Sequence, residues 1–369
     1  MTLLHILETL GALYLLELGF FAYAARRSRL TYSKLRTELP SQKVSVVVAA
    51  KDEEKNLPGC LQSLLDLEYP KELLEIIVVN DQSVDSTPEI IDSVAREGNL
   101  FVRRVDASEG GSTRGKANAL AQGIDMATGE FIFLTDADCF VPPTWIVETL
   151  KYFDRDTGIV GGVTLISNTA RLIYGIQALD WDFLLTVGAG AASIGKPVAC
   201  LGNNLAFRKK AYDEVGGYRK IRFSVTEDFA LFKAVADSRK WKYKFPMDRD
   251  TLVHTLPVES LKDVFLQRKR WATGGKDTGW FGVSTLAPSF FFHWLLILSI
   301  LYSPVIFLIF FCLKSIIDGV FISPTLSLYG KIAHLKFIVY FEIYYLLYVA
   351  ILPFSVYLGR AIIWKGRRY

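Results

Sequence analysis

Several features that would narrow a fold by themselves are missing from this chain. Its 369 residues include only four cysteines. Cys60, Cys139, Cys200 and Cys312 are scattered with no C-x-x-C spacing, which argues against a disulfide framework or a zinc site and for a reducing compartment. No internal repeat and no low-complexity segment is present. The formal net charge of +4 is too small to call for a nucleic-acid partner. No basic segment precedes the first apolar stretch and no small-residue cleavage site follows it, so a removable signal peptide is not expected. Apolar residues, in contrast, make up 51% of the chain, and the mean hydropathy of +0.27 points to membrane segments.

Three stretches have spanning length and composition. The first lies within residues 1–26, interrupted by His5, Glu8 and Glu17 and followed by Arg26, Arg27 and Arg29. It reads as a span, with an amphipathic helix lying on the membrane as the other reading. Ser289–Leu313 and Phe337–Leu358 read as two further spans, the last with Glu342 inside it and a kink expected at Pro353. The basic tail 359–369 carries Trp364 as an aromatic anchor. Basic flanks mark the cytoplasmic side. Three spans therefore put the N-terminus outside, with the central portion and the C-terminus in the cytoplasm of an integral protein of a cell or inner membrane.

Between the first and second spans the texture is alternating strand and helix. Val44–Ala50, Ile76–Val79, Phe101–Val105 and Phe131–Thr135 read as strands; 54–67, 88–96 and 115–126 read as helices. Such alternation predicts a parallel, doubly wound α/β sheet with crossover helices. Further on, 172–187 reads as a helix and Gly188–Gly195 as a small-residue loop. Cys200–Arg208 reads as an amide-rich turn with a short strand, and Trp241–Phe245 as one more strand. Ser224-Val-Thr-Glu227 has capping-box spacing for a helix from about 226 to 237. Residues 261–271 form a basic amphipathic helix of the interfacial kind.

The most informative run is Phe131–Phe140. An apolar strand buried on both faces leads directly into Asp136 and Asp138, with Pro142 and Pro143 ending it. Residues at i and i+2 of an extended segment point the same way, so two carboxylates at the carboxyl end of a strand can share a cation. That end is where open α/β sheets place ligands. Taken alone, the pair also reads as two solvated turn residues. Asp81, after the second strand, occupies the same rim and can accept hydrogen bonds from a base or ribose; nearby Asp85 reads equally as a helix cap. Lys51-Asp-Glu-Glu54 lines the rim or makes a solvated turn. Lys116 follows Arg114-Gly115 where a helix opens, a setting that favours phosphate. Asp228 sits in a helix first turn, which keeps a carboxylate ionised as a proton acceptor or is ordinary helix-start chemistry. Gln267, Arg270 and Trp271, at i, i+3 and i+4, share one helical face that offers an amide, a cation and a stacking surface, while Arg268 and Lys269 point elsewhere. A membrane-surface helix would also carry such residues.

In their order along the chain, these motifs resemble the membrane-integrated inverting glycosyltransferases of family 2, which have the GT-A fold. That group includes cellulose, chitin, hyaluronan and poly-N-acetylglucosamine synthases and ceramide glucosyltransferases. The matching residues are Lys51–Glu54, Asn80-Asp81 with Asp85, Gly115-Lys116-Ala-Asn-Ala-Leu120, Thr135-Asp-Ala-Asp138, Gly202-Asn-Asn204, Thr226-Glu-Asp228 and Gln267-Arg-Lys-Arg-Trp271. The resemblance spans about 40–275 and implies a cytoplasmic GT-A domain there, with a mixed sheet, crossover helices and about three transmembrane helices. Asp52-Glu53 stands where the family often has Asn-Glu, and Asn80 where it often has Asp, which makes base recognition the less secure part. The implied roles place Asp81 at the nucleotide base, Lys116 near the nucleotide and Asp136 at ribose and diphosphate. Asp138 would hold Mg²⁺ or Mn²⁺, and Asp228 would act as general base. Gln267, Arg270 and Trp271 would hold the leaving diphosphate and stack on the acceptor, with Asn203 and Glu227 at the acceptor. The expected reaction moves a hexose or N-acetylhexosamine from a UDP-sugar to a lipid or a growing glycan, the lipid being favoured. A processive polysaccharide synthase and a catalytically silent membrane scaffold are the alternatives.

Overall fold

A computed structural model describes residues 3–32, 34, 42–96, 101–110, 113–358, 363–364 and 367–368. The chain begins with helix α1 (Leu3–Thr31) and then enters an α/β domain. In order this contains β1 (Val44–Ala50), α2 (Leu57–Leu65), β2 (Leu74–Asn80), α3 (Thr87–Arg96), β3 (Val102–Asp106), α4 (Gly115–Met126) and β4 (Phe131–Asp136). There follow β5 (Cys139–Phe140), α5 (Trp145–Leu150), β6 (Thr157–Gly161), β7 (Thr164–Ile166), α6 (Leu172–Ser193) and β8 (Leu205–Arg208). The domain closes with α7 (Lys209–Val215), α8 (Gly217–Lys220), α9 (Glu227–Asp237), β9 (Lys242–Lys244) and β10 (Val253–Thr255). Four further helices are α10 (Leu261–Gly274), α11 (Gly279–Tyr302), α12 (Pro304–Leu328) and α13 (Ile338–Tyr357).

The main sheet has the order β3-β2-β1-β4-β8-β6-β9, and β5-β10-β7 form a small second sheet. β1 pairs in parallel with both β2 and β4, as unbroken runs of Val, Ile and Phe require when both faces are covered. Val46, Val47, Val48, Ile76, Ile77 and Val78 are all fully buried. Each contributes about 1.5–3 kcal/mol relative to an exposed position. The even-numbered residues of β1 face α2 and Trp145; Val47 faces the layer that includes α4 and α6. The wholly parallel sheet expected from βαβ alternation is broken at β8; β6 and β9 run in the same direction as β1–β4. β8 is antiparallel to both β4 and β6, giving the mixed GT-A arrangement.

Two readings of the sequence need correction. Gly188–Gly195 is not a loop: α6 continues through Ser193. Its small residues let α1 lie directly against it, since a Cβ on Gly190 would sit 2.7 Å from the Phe21 carbonyl oxygen. The Ser193 hydroxyl donates to the carbonyl of Ala24 at 2.9 Å. Small residues serve this purpose wherever helix backbones approach closely. In addition, 289–313 is not one helix. The backbone breaks at Ser303, whose hydroxyl caps Ile306 N–H ahead of Pro304 in the first turn of α12. Among the described residues there are accordingly four helices long and apolar enough to cross a membrane, within Leu4–Arg27, Leu261–Tyr302, Pro304–Leu328 and Ile332–Tyr357. Four such helices replace the three on which the parity of the termini rested. Most of the basic tail 359–369 lies outside the described residues.

α12 escaped notice because Lys314 and Asp318 interrupt its hydropathy. Both are fully buried, and the Lys314 ammonium is paired with Asp318 at 2.7 Å and with Glu342 of α13. The Tyr14 hydroxyl of α1 donates to Asp318 at 2.9 Å. Internal pairing is what makes ionisable groups tolerable at such depth. Leu7, Tyr14, Leu18 and Phe21 of α1 pack in the same core as Leu179, Phe183, Phe292, Phe321 and Phe341. α6 thus packs on both sides: Ala178, Trp181 and Leu185 in the core of the α/β domain, Leu179 and Phe183 in the apolar bundle.

Candidate active site

The sheet register assembles the rim. Ala50 pairs with Asn80, Asn80 with Asp106, and Ala49 with Asp136, so the carboxyl ends of β1–β4 finish level. Asp81 follows β2 directly, is buried, and donates its N–H to the Ala50 carbonyl at 2.8 Å. The Lys51 ammonium reaches the carbonyls of Asp81 and Gln82 at 3.4 and 3.2 Å. Asp85 proves to be a brace: it accepts the Glu54 N–H through Oδ2 and the Thr87 N–H, where α3 begins, through Oδ1, both at 3.0 Å. The Asn80 amide donates to Asp106 at 2.8 Å and its oxygen accepts the Ser83 N–H, which fixes the floor beside Asp81.

Asp136 and Asp138 lie at and just beyond the end of β4. Asp136 does not stand open to a ligand. Its Oδ1 lies 2.5 Å from the Lys116 ammonium, which is also 3.5 Å from Glu227 Oε1. Lys116 occupies the first turn of α4, and Gly115 ahead of it adopts φ +57°, a left-handed conformation that suits glycine. Asp138 Oδ1 has the Cys139 thiol at 3.4 Å. Carboxylate oxygens at this rim form the hard donor set that suits Mg²⁺ or Mn²⁺. A different set of described carboxylates also converges, Glu148 with Asp248 and Asp250. There the Lys34 ammonium lies within 2.9 Å of all three and supplies the cation itself.

Asp228 sits in the first turn of α9, after Thr226. No side chain caps this helix; Ser224 instead accepts the Thr226 N–H at 3.1 Å. Asp228 Oδ2 accepts the Gly202 N–H at 2.7 Å and Oδ1 accepts the Phe229 N–H at 2.8 Å. A Cβ on Gly202 would lie 2.8 Å from the Asp228 side chain, so glycine is what admits the carboxylate. Burial, then repulsion from Glu227, pushes the Asp228 carboxyl up to about 6, against the pull of the Lys116 and Arg270 cations. Asp136, Lys116, Glu227 and Asp228 form one electrostatic chain from the end of β4 to the start of α9.

Asn203 and Asn204 are both buried and engaged. Asn203 Oδ1 accepts the Thr164 hydroxyl at 2.8 Å, and its carbonyl accepts the Thr135 hydroxyl at 3.0 Å. Asn204 bridges Trp145 Nε1, Val163 O and Thr251 O. The amide-rich turn is thus cross-linked to β4 and β7 at the base of the site.

α10 extends past residue 271 to Gly274, capped by Ser260, which accepts the Asp263 N–H at 3.1 Å. A Cβ on Gly274 would fall 2.0 Å from Thr226 Oγ1. That contact seats the Gln267-Arg270-Trp271 helix against the start of α9. The Arg270 guanidinium donates to the Val225 carbonyl at 2.9 Å, and Trp271 meets Trp181 edge-on at 5.0 Å. Sequence reasoning passed over Arg268, Gly274 and Asp180. Two acids, Asp180 and Asp182, in a largely apolar α6 are a signal of buried cationic partners, and Arg268 is the partner of the first.

The profile of Glycosyl transferase family 2 matches residues 45–228. Over 243 residues the chain is 30% identical to a poly-beta-1,6-N-acetyl-D-glucosamine synthase of Staphylococcus aureus and 28% identical to that of Staphylococcus epidermidis. Each match covers 63% of this chain and 55% of the relative, so the chain spans about half the length of the curated relatives it matches. Among solved structures, the mannosyltransferase PcManGT from Pyrobaculum calidifontis, in complex with GDP-Man and Mn²⁺, superposes with a TM-score of 0.64. The two are 19% identical, and the superposition covers 93% of this chain and 99% of that one, a likeness of fold.

Proposed function

We propose that this chain, which belongs to glycosyl transferase family 2, moves a hexose or N-acetylhexosamine with inversion from a UDP-sugar to an acceptor hydroxyl at a membrane face. The observation that carries this reading is the continuous group Asp136–Lys116–Glu227–Asp228, which joins a nucleotide-type rim to a carboxylate tuned to about 6. Asp228 takes the proton of the acceptor hydroxyl. The acceptor oxygen forms its bond to the anomeric carbon from the face opposite the diphosphate, and the bond to the diphosphate oxygen breaks with its electron pair. A general base of this kind works best when its pKa lies near the operating pH. Lys116 and Arg270 face the charge that grows on the departing diphosphate. Asp138 would hold Mg²⁺ or Mn²⁺; when bound, such an ion would neutralise charge on the diphosphate. Asp81 would meet the base, and Gln267 and Trp271 the acceptor, beside Glu227 and Asn203.

A membrane lipid fits the acceptor side. The bundle interior is filled by Leu7, Tyr14, Phe183, Phe292, Phe321 and Phe341, and α10 lies where the bundle meets the domain. Arg26 and Arg27 near the C-terminal end of α1 support a cytoplasmic domain in an integral membrane protein. Extension of a growing glycan is the second reading, favoured by the 30% identity to polymer synthases. The test is the full chain in lipid, supplied with UDP- and GDP-sugars and Mg²⁺ or Mn²⁺, with glycolipid and polymer resolved among the products. Asp228→Asn is expected to abolish transfer while nucleotide affinity stays within about twofold. Collapse of nucleotide binding in that variant would remove Asp228 from the role of base.

A further inference from the structure

Arg268 is the residue of the α10 segment that helical spacing sets apart from Gln267, Arg270 and Trp271. Solvent is nonetheless closed to it, with only 1% of its surface exposed. A guanidinium is kept at such depth only where partners offset its desolvation. Its Nε donates to Asp180 Oδ2 of α6 at 2.5 Å. Its Nη1 donates to Gln267 Oε1 at 2.6 Å, and its plane covers the Trp271 ring at 4.2 Å. Asp180, itself buried, also accepts the hydroxyl of Tyr344 from α13 at 3.4 Å. A route of direct contacts therefore runs from α13 through Asp180 and Arg268 to two residues of the acceptor face.

We infer that Arg268, anchored by Asp180, is a positioning residue through which the apolar bundle fixes Gln267 and Trp271 in the site. Arginine suits this task and lysine does not. One planar fork pairs with a carboxylate, donates to an amide and stacks on a ring at once, whereas an ammonium carries the charge without the plane. Gln267 Oε1 is the atom Arg268 holds, so the Gln267 amide nitrogen is directed elsewhere, toward a ligand on its own helical face. The inference rests on the acceptor-side reading of Gln267 and Trp271 given above.

Arg268→Lys, Asp180→Asn and Tyr344→Phe in the full chain, held in lipid, test it with two readouts. The first compares sugar transfer with nucleotide affinity and with nucleotide release in the absence of acceptor. The second is hydrogen exchange of the α10 amides. Arg268→Lys is expected to lose about 10- to 100-fold in transfer, the scale of an ångström-sized misplacement. Nucleotide affinity and acceptor-free release should stay within about twofold, and α10 should exchange faster while β4 and α4 keep their protection. Tyr344→Phe is expected to change transfer less than about threefold. Wild-type transfer and α10 protection in Arg268→Lys would overturn the inference, as would a parallel loss of nucleotide affinity, which belongs to a fold-wide role. If Asp180→Asn does not fold, Arg268→Lys decides alone. If the wild-type chain turns over no nucleotide sugar, the proposed function fails, and α10 exchange in Arg268→Lys still decides the tie: faster exchange supports it and unchanged protection overturns it.

Discussion

Gly274 offers the sharpest perturbation of the site. Replacing it with alanine puts a Cβ 2.0 Å from Thr226 Oγ1, 2.5 Å from its Cγ2 and 2.8 Å from its Cβ. Rotating the threonine only exchanges the first two clashes, and the Cβ contact stays too close, so the helices themselves must part. Moving from 2.0 Å to an ordinary contact of 3.4 Å requires about 1.4 Å. That motion carries Gln267, Arg270 and Trp271 away from Asp228. An ångström of misplacement costs up to about 10²-fold in rate, and overpacking costs about 1–3 kcal/mol in stability. The expected result in a purified transfer assay is a loss near 100-fold, well beyond any loss of nucleotide affinity, because Arg270 shifts while the β4 rim does not. Adding Thr226→Ala leaves the 2.8 Å contact, a remaining shift of about 0.6 Å, and should restore part of the rate. Gly275→Ala is the control, since its Cβ meets nothing within 4 Å and its backbone is right-handed helical. Wild-type transfer in Gly274→Ala, or equal damage in Gly275→Ala, would refute the reasoning.

The raised Asp228 carboxyl gives the acid limb of the rate profile. The base must be ionised, so kcat/KM should rise with pH through about 6 and level above it; Lys116→Met, removing a cation that holds Asp228 down, should move that limb upward. A limb at the same pH in both proteins would contradict the coupling. Lys314→Met leaves the buried carboxylates of Asp318 and Glu342 without their cation and should cost about 3–5 kcal/mol by thermal unfolding. The triple change Lys314→Met, Asp318→Leu, Glu342→Leu should recover most of that loss, and a triple variant no more stable than the single one would count against it. Gly190→Val should separate α1 from α6 and cost about 1–3 kcal/mol, because its Cβ would lie 2.7 Å from the Phe21 carbonyl; an unshifted melting temperature would show that the contact relaxes freely.

The strands of the donor half were legible because a fully apolar strand ending in carboxylates has few other uses. Val44–Ala50 and Phe131–Asp136 appear where their patterns put them. What failed was reading polarity and size as if each segment stood alone. Gly188–Ser193 reads as a loop from its glycines, yet its three alanines favour helix and its small residues serve the packing of α1. Lys314 and Asp318 lower the apparent hydropathy of α12, but their charges are matched by Glu342 and each other. Arg268 looked like a solvent-facing charge because its partner, Asp180, is 88 positions away. Local periodicity carries no information about such pairings, although the ordered motifs did single out Asp136, Lys116, Glu227 and Asp228, which the fold brings into one charged group.

The hydroxyl of Tyr14 meets Asp318 across 304 positions of sequence. α1 is made ahead of its polar partner, which follows 304 positions later. Until α12 is synthesised, Tyr14 has no Asp318, and the face carrying Leu7, Leu18 and Phe21 lacks much of its cover. The α/β domain, whose strand pairings are complete by Thr255, has all its pieces well before the bundle does. Biogenesis therefore has an order written into it: an α/β domain whose strands are all made before the bundle's last helices, and a bundle that closes around α6 only after α12 and α13 have followed. A chain stopped short of α12 would keep the carboxylates of its α/β domain and the contact of α1 with α6, but leave Tyr14 without Asp318.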